Sequence, residues 1–233
     1  MTNHLPDLEA ETIEDIRDAT ALSNPPDVID FALRRSAHLH WQVPAINKQA
    51  RASQKLQKPV CLWLTGLPGA GKSTIANLLE KRLFAAGRHA YVLDGDNIRL
   101  GLNRDLGFSE ADRIENIRRV SEVARLLVDA GIIVIVAFIS PYRAEREAAR
   151  SRFDPGEFFE IFVDAPLEEC ERRDPKGLYA KARRGELKNF TGIDSAYEAP
   201  LTPDVRLDTT TSSAEGCVDQ ILLSLNPLNR DCQ

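Results

Sequence analysis

The sequence predicts a three-layer α/β sandwich, a parallel sheet of about five strands with helices on both faces. Three observations carry this expectation. From residue 59 onward, short apolar runs alternate with stretches of helical periodicity. Such alternation needs crossover connections, which lay helices on both faces of a parallel sheet. A glycine-rich loop, "TGLPGAGKST" (65–74), joins the first apolar run to the first helical stripe.

The elements follow in order. "VCLWLT" (60–65) is an apolar run suited to a buried parallel strand. After the loop, Ile75, Leu78, Leu79, Arg82/Leu83 and Ala86 form a helical stripe closed by Gly87. "AYVLD" (90–94) is a second strand. "SEADRIENIRRVSEVARLLVDAG" (109–131) is a long helix, with Ser109 as N-cap, Gly131 as stop, and Ile114, Ile117, Val120, Ala124 and Leu127 on its apolar face. "IIVIVAFI" (132–139) and "FEIFVD" (159–164) are further strands around a polar helix, "RAEREAARSRF". "LEECERRD" (167–174) begins another helix, "DVRLDT" (204–209) is a short fifth strand, and "AEGCVDQILLSL" (214–225) is a last helix. Residues 1–37 form an acidic, partly helical extension interrupted by "SNPPD", and 38–233 the domain that carries the motifs.

Composition narrows the class. The 233 residues carry a net charge of −5, which gives no overall basic footprint for nucleic acid. The N-terminus lacks an apolar signal core, and "AGIIVIVAFI" is too short to span a bilayer. Four cysteines (Cys61, Cys170, Cys217, Cys232) show no C-x-x-C pair, and Cys61 sits in an apolar run. A cytoplasmic chain with reduced thiols, and with no membrane or nucleic-acid partner, is expected.

In sheets of this kind ligands gather beyond the carboxyl ends of the strands, so functional residues are expected after 65, 94, 139 and 164. "GLPGAGKS" fits G-x-x-x-x-G-K-[ST] between strand and helix. Its backbone N–H groups and the following helix N-terminus suit phosphate, Lys72 the outer phosphates, and Ser73 magnesium. This makes the sandwich P-loop NTPase- or kinase-like, with nucleotide phosphates and Mg2+ as the expected ligands. Pro68 has no N–H and is tolerated only where none is used. Asp94 and Asp96 stand at the second strand tip, able to position magnesium or accept a proton, although Asp-Gly is also common in plain turns. Arg99, Asn103 and Arg104 add anion-binding capacity. Arg113 and Asn116, three apart, share a helix face; a solvated charged face is the simpler reading of that segment alone. Ser140 follows the third strand and either binds phosphate or merely ends the strand. "RRDPKGLYAKARRGELKNFTG" (172–192) is basic and sits where nucleoside-phosphate kinases carry a lid, which can exclude water.

Together "GLPGAGKST", "DGDNIRLGLNRDLGFSEADRIENIRR", "AFISPYRAERE" and "FVDAPLEECERRDPKGLYAKARRGELKNFTGIDSAYEAP" resemble the adenylylsulfate (APS) kinase family over roughly 38–225. The resemblance implies that MgATP phosphorylates the ribose 3′-hydroxyl of adenosine 5′-phosphosulfate, giving PAPS and ADP in sulfate activation. It assigns Gly66, Leu67, Pro68, Gly69, Ala70, Gly71, Lys72, Ser73 and Thr74 to ATP, and Ser73 with Asp94 to the metal. Lys72, Asp94 and Ser140 are the implied catalytic set, with Ser140 read as a binding group in a direct transfer rather than a phosphorylated intermediate. Asp96, Asn97, Arg99, Asn103, Phe108, Arg113, Asn116, Ile139, Ser140, Lys176, Leu178 and Phe190 are the implied APS contacts, with Phe108 and Phe190 on opposite faces of the adenine. A homodimer is implied, and association with an ATP sulfurylase is an open possibility. Pro68 departs from the family's "GLSG" loop, so weaker or differently tuned nucleotide binding is expected. A gluconate- or shikimate-type kinase and a non-catalytic nucleotide-binding module are the competing readings.

Overall fold

The structure is a computed structural model that describes residues 44–225. The helices expected in the extension, the 37/38 boundary and Cys232 lie outside the described residues.

Five strands, β1 (Cys61–Thr65), β2 (Ala90–Asp94), β3 (Ile133–Ala137), β4 (Phe158–Asp164) and β5 (Val205–Asp208), form one parallel sheet in the order β2-β3-β1-β4-β5. The central β1 and β3 are buried along their whole length, which is why they read as continuous apolar runs rather than as alternation. The register aligns Leu64 and Asp94 with Ala137, and Thr65 with Phe162. Chain therefore leaves the strands along one edge.

Alternate residues serve opposite faces. Leu62, Leu64, Ile135, Ile161 and Leu207 pack under α2 (Lys72–Ala85) and α8 (Ala214–Leu225). Cys61, Trp63, Val134 and Val136 pack under α4 (Glu110–Asp129) and α5 (Arg143–Arg150). Ser109 caps α4 in a reciprocal capping box with Asp112, as its position in the sequence suggests. Among the described residues there are also shorter helices: α1 (Lys48–Gln54), α3 (Gly95–Leu100), α6 (Leu167–Arg173) and α7 (Leu178–Arg183). The sequence reading had no helix for α1, α3 or α7. Each has seven residues or fewer, too short to establish a periodicity.

One expectation fails on α4. Ile114 is 37% exposed, whereas Arg113 and Asn116 are buried at 7% and 4%. Ile117, Val120 and Ala124 do face the core. Ala86, placed on the α2 stripe, is exposed. Cys61, Cys170 and Cys217 are buried free thiols. Among the described residues no helix is long and apolar enough to cross a membrane.

Candidate active site

A cleft of about 750 Å3 opens along the carboxyl edge of the sheet, lined by residues that follow β1, β2, β3 and β5 and by the segment from Arg173 onward. The phosphate loop forms its floor. Gly66 packs so tightly on β4 that a Cβ would lie 2.3 Å from the Val163 carbonyl oxygen, so no larger residue fits. Pro68 and Gly69 are the central residues of a turn closed by Ala70 N–H donating to Leu67 O at 3.2 Å. Gly69 has φ +77°, the type II pattern, in which proline suits the first central position and its missing N–H is not part of the turn. The loop is pinned from behind: Arg173 donates to Thr209 O at 2.8 Å, and Thr209 Oγ1 donates to Ala70 O at 3.1 Å.

Lys72 is 8% exposed, and its Nζ donates to Gly66 O at 2.9 Å and Leu67 O at 2.8 Å. Burial lowers its pKa to about 8, so the ammonium sits in a poorly solvated place that an anion would relieve. Ser73 Oγ donates to Asp94 Oδ2 at 2.8 Å, while Asp94 Oδ1 accepts the Asp96 N–H and so caps α3. Two hard oxygens meeting at a phosphate loop suit magnesium, which takes one or two protein oxygens and fills its shell with phosphate and water. Among the described residues no cluster of three or more His, Cys, Asp or Glu exists, so an ion here would depend on the nucleotide for most of its ligands.

Two aromatic rings, Phe108 and Phe190, also line the cleft. Phe108 is 59% exposed, with the Arg99 guanidinium 4.5 Å from its ring centroid. Arg113 ties the two rims together: Nε donates to Phe108 O at 3.1 Å and a terminal nitrogen donates to Asn189 O at 2.5 Å, beside Phe190. Lys176 pairs with Asp96 across the mouth. Asn116 lines the cleft and accepts from Asn103 Nδ2 at 2.8 Å.

The cleft gathers Pro68 to Thr74, Asp94, Asp96, Arg99, Phe108, Arg113, Asn116, Ile139, Lys176, Leu178 and Phe190. It leaves out some expected residues. Asn103 is fully buried and reaches the cleft only through Asn116, so it is a support rather than an anion contact. Asn97 is exposed but does not line the cleft, and neither do Gly66 and Leu67. Ser140 is 2% exposed, with φ +40°, and its Oγ accepts from Trp63 Nε1 at 3.1 Å. Its hydroxyl is turned into the core, and the wall there is made by Ile139 and Pro141. The lid is also less free in charge than its composition implied. Arg172, Arg183 and Arg184 pair with Glu169, Glu171 and Glu186, and the two basic lid residues that line the cleft, Arg173 and Lys176, pair with Glu169 and Asp96.

Sequence reasoning missed Thr209, Ser212, Ala214 and Cys217, which close the cleft after β5. They carry no phosphate motif. Applying the strand-end rule to the fifth strand as well would have found Thr209.

A glycine-rich phosphate loop, a buried lysine, a Ser–Asp oxygen pair and a basic, aromatic lining in one cleft define a protein of the P-loop class. Residues 58–208 match the family described as Adenylylsulphate kinase. The chain is 63% identical over 199 residues to the bifunctional enzyme NodQ of Rhizobium sp. (strain N33), covering 85% of this chain but 31% of that protein. It thus spans about a third of the length of these bifunctional relatives. It is 59% identical over 189 residues to the adenylyl-sulfate kinase of Aeromonas hydrophila, covering 81% of this chain and 96% of that one. Among solved structures, the Mycobacterium tuberculosis APS kinase in complex with AMPPNP and APS superposes with a TM-score of 0.70 at 53% identity, covering 72% of this chain and 98% of that one. The chain belongs to the adenylylsulphate kinase family.

Proposed function

We propose that this protein transfers the γ-phosphoryl group of ATP to the ribose 3′-hydroxyl of adenosine 5′-phosphosulfate, yielding PAPS and ADP. One observation carries the reading: a single cleft joins the phosphate loop to a rim of Phe108 and Phe190 flanked by Arg99, Arg113 and Lys176. That rim suits a flat base bearing an anionic tail, which a small sugar acid does not offer. The relative solved with AMPPNP and APS supports it.

The chemistry asks for positioning and charge neutralisation. Gly69 to Thr74 hold the donor phosphates. Lys72 leaves the two carbonyls it now occupies and takes up negative charge on the transferring group. Asp94 accepts the proton of the 3′-hydroxyl as the new O3′–Pγ bond forms and the bond from Pγ to the bridging β–γ oxygen breaks. The electron pair of that bond leaves with ADP. Ser73 and Asp94 hold Mg2+, which when bound neutralises phosphate charge. The two phenylalanines sandwich the acceptor adenine, and Arg113 sets their spacing. Ser140 supports this wall from behind, so transfer is direct. Residues 1–37 are a separate extension on a kinase domain of 38–233 with its lid at 172–192. A cytoplasmic homodimer, able to work beside an ATP sulfurylase, completes the reading.

The test is purified protein with MgATP and APS, followed by chromatographic detection of PAPS, against a panel of hydroxylated metabolites that includes gluconate and shikimate. PAPS formation selective for APS supports the reading. Binding of both nucleotides without turnover indicates a regulatory module, and preference for a sugar acid overturns the acceptor assignment.

A further inference from the structure

The lid and the phosphate loop are joined by a hydrogen bond that neither phosphate binding nor base stacking requires. Tyr179, the second residue of α7, is 2% exposed, and its phenol donates to Pro68 O at 2.9 Å. Burial pushes the phenol well above its ordinary pKa, so it stays protonated and a donor. Its backbone is fixed too, because Asp174 accepts from the Tyr179 and Ala180 N–H groups at 3.1 and 3.0 Å. Its ring and that of Phe190 meet in a T-shaped contact, with centroids 5.0 Å apart. Gly192 keeps this junction close, since a Cβ there would come within 3.2 Å of Leu67 and 3.1 Å of Leu167.

The accepting carbonyl matters. The Pro68–Gly69 peptide is the central peptide of the phosphate-loop turn, and type I and type II turns differ by a flip of that peptide. A trans peptide directs its N–H opposite to its C=O. Holding Pro68 O toward the lid therefore holds the Gly69 N–H on the other side, in the type II form that Gly69 adopts.

We propose that Tyr179 is a positioning residue that couples the two nucleotide sites, its hydroxyl setting the Pro68–Gly69 peptide of the phosphate loop and its ring contacting Phe190 on the acceptor side. Stacking of an acceptor base on Phe190 steadies Tyr179, and Tyr179 steadies the donor loop. The coupling is reciprocal, so each nucleotide raises the affinity for the other by one common factor. This inference rests on the kinase reading above.

The test is calorimetric titration of the full chain with the non-hydrolysable donor AMPPNP, with and without saturating APS, and the reverse. Wild type is expected to show a coupling factor of about 5 or more, equal in both directions. Tyr179→Phe keeps the ring and the edge contact and removes only the hydroxyl. It is expected to bring the factor to within about twofold of one while APS affinity alone changes little; a purely structural role would lower the melting temperature and leave the factor alone. A Tyr179→Phe protein that couples as wild type does, or a wild type that binds both nucleotides without coupling, overturns the proposal and leaves the kinase reading standing. A wild type that binds AMPPNP but no APS overturns both.

Discussion

Ser73 donates its hydroxyl to Asp94 across 2.8 Å, joining the first turn of α2 to the tip of β2. The strand order makes this meeting possible: β2 stands beside β3, and β3 beside β1, so the loop after β1 and the tip of β2 share one sheet edge. Asp94→Asn keeps the side-chain shape but cannot accept a proton. We expect kcat to fall by about 10²–10⁴, the usual range for loss of a general base, with a much smaller change in ADP affinity. Steady-state kinetics beside ADP titration checks this. A variant that keeps more than about a tenth of wild-type kcat removes Asp94 from proton transfer.

Lys72 makes both stability and donor affinity depend on pH in the alkaline range. Its pKa is lowered by burial to about 8 from a normal 10.5. Between those values the unfolded chain binds the extra proton, so this lysine makes stability rise with pH from about 8 to 10.5. Donor affinity moves the other way. It is full below about 8, where the ammonium is charged, and falls by up to about tenfold per pH unit above that. Lys72→Met is expected to abolish turnover, to flatten the ADP affinity profile above pH 8, and to remove this lysine's share of the alkaline gain in melting temperature. Matched melting and ADP titrations of both proteins, from pH 7 to 10, test all three.

Most of the fold was legible because the strands are short, apolar and buried, a pattern that survives without long-range information. The floor of the cleft was legible for a similar reason, since a phosphate loop is a local motif. The rest depended on tertiary placement. Arg113 and Asn116 sit on a helix whose neighbouring Ile114 is apolar, so periodicity alone favours the isoleucine for burial; the cleft reverses this because it buries the polar pair. Ser140 was readable as a strand-end residue, but its rotation onto Trp63 depends on a backbone φ of +40° that no pattern reports. The Arg–Glu pairing that ties up most of the lid's charge joins residues up to 12 apart, and composition does not report which charges pair.

Arg113 is expected to act on the acceptor and not the donor. Its planar fork donates to Phe108 O and Asn189 O at once, which sets the separation of the two aromatic rims. A lysine keeps the charge but loses the fork. Loss of one charge-assisted hydrogen bond, about 1.5–3 kcal/mol, predicts for Arg113→Lys a rise in KM for APS of about tenfold or more. KM for ATP should stay within about twofold, and a parallel rise in both constants would mean that Arg113 supports the cleft generally.

Ser140→Ala separates support from chemistry. Trp63 is fully buried, and its indole N–H loses its acceptor in this variant. We expect a cost of about 1–3 kcal/mol, seen as a lower melting temperature, with substantial turnover retained. Abolished turnover with APS binding intact would show that the hydroxyl reaches substrate in the working enzyme.

Pro68 combines a stability effect with a binding effect, and the two can be pulled apart. In the turn closed by Ala70 N–H on Leu67 O, proline holds the first central residue near the φ that the turn needs. Pro68→Ser frees the unfolded chain and should lower the stability of the empty protein by about 0.4–1 kcal/mol. The serine also restores an N–H that the turn does not consume, and a hydroxyl beside the donor phosphates. One new hydrogen bond, net about 0.5–1.5 kcal/mol, predicts ATP and ADP affinity higher by about two- to tenfold. A less stable protein that binds nucleotide more tightly is thus the expected signature, read from melting curves and calorimetry on the same samples. Unchanged affinity would mean that the proline serves the turn alone and does not tune the site.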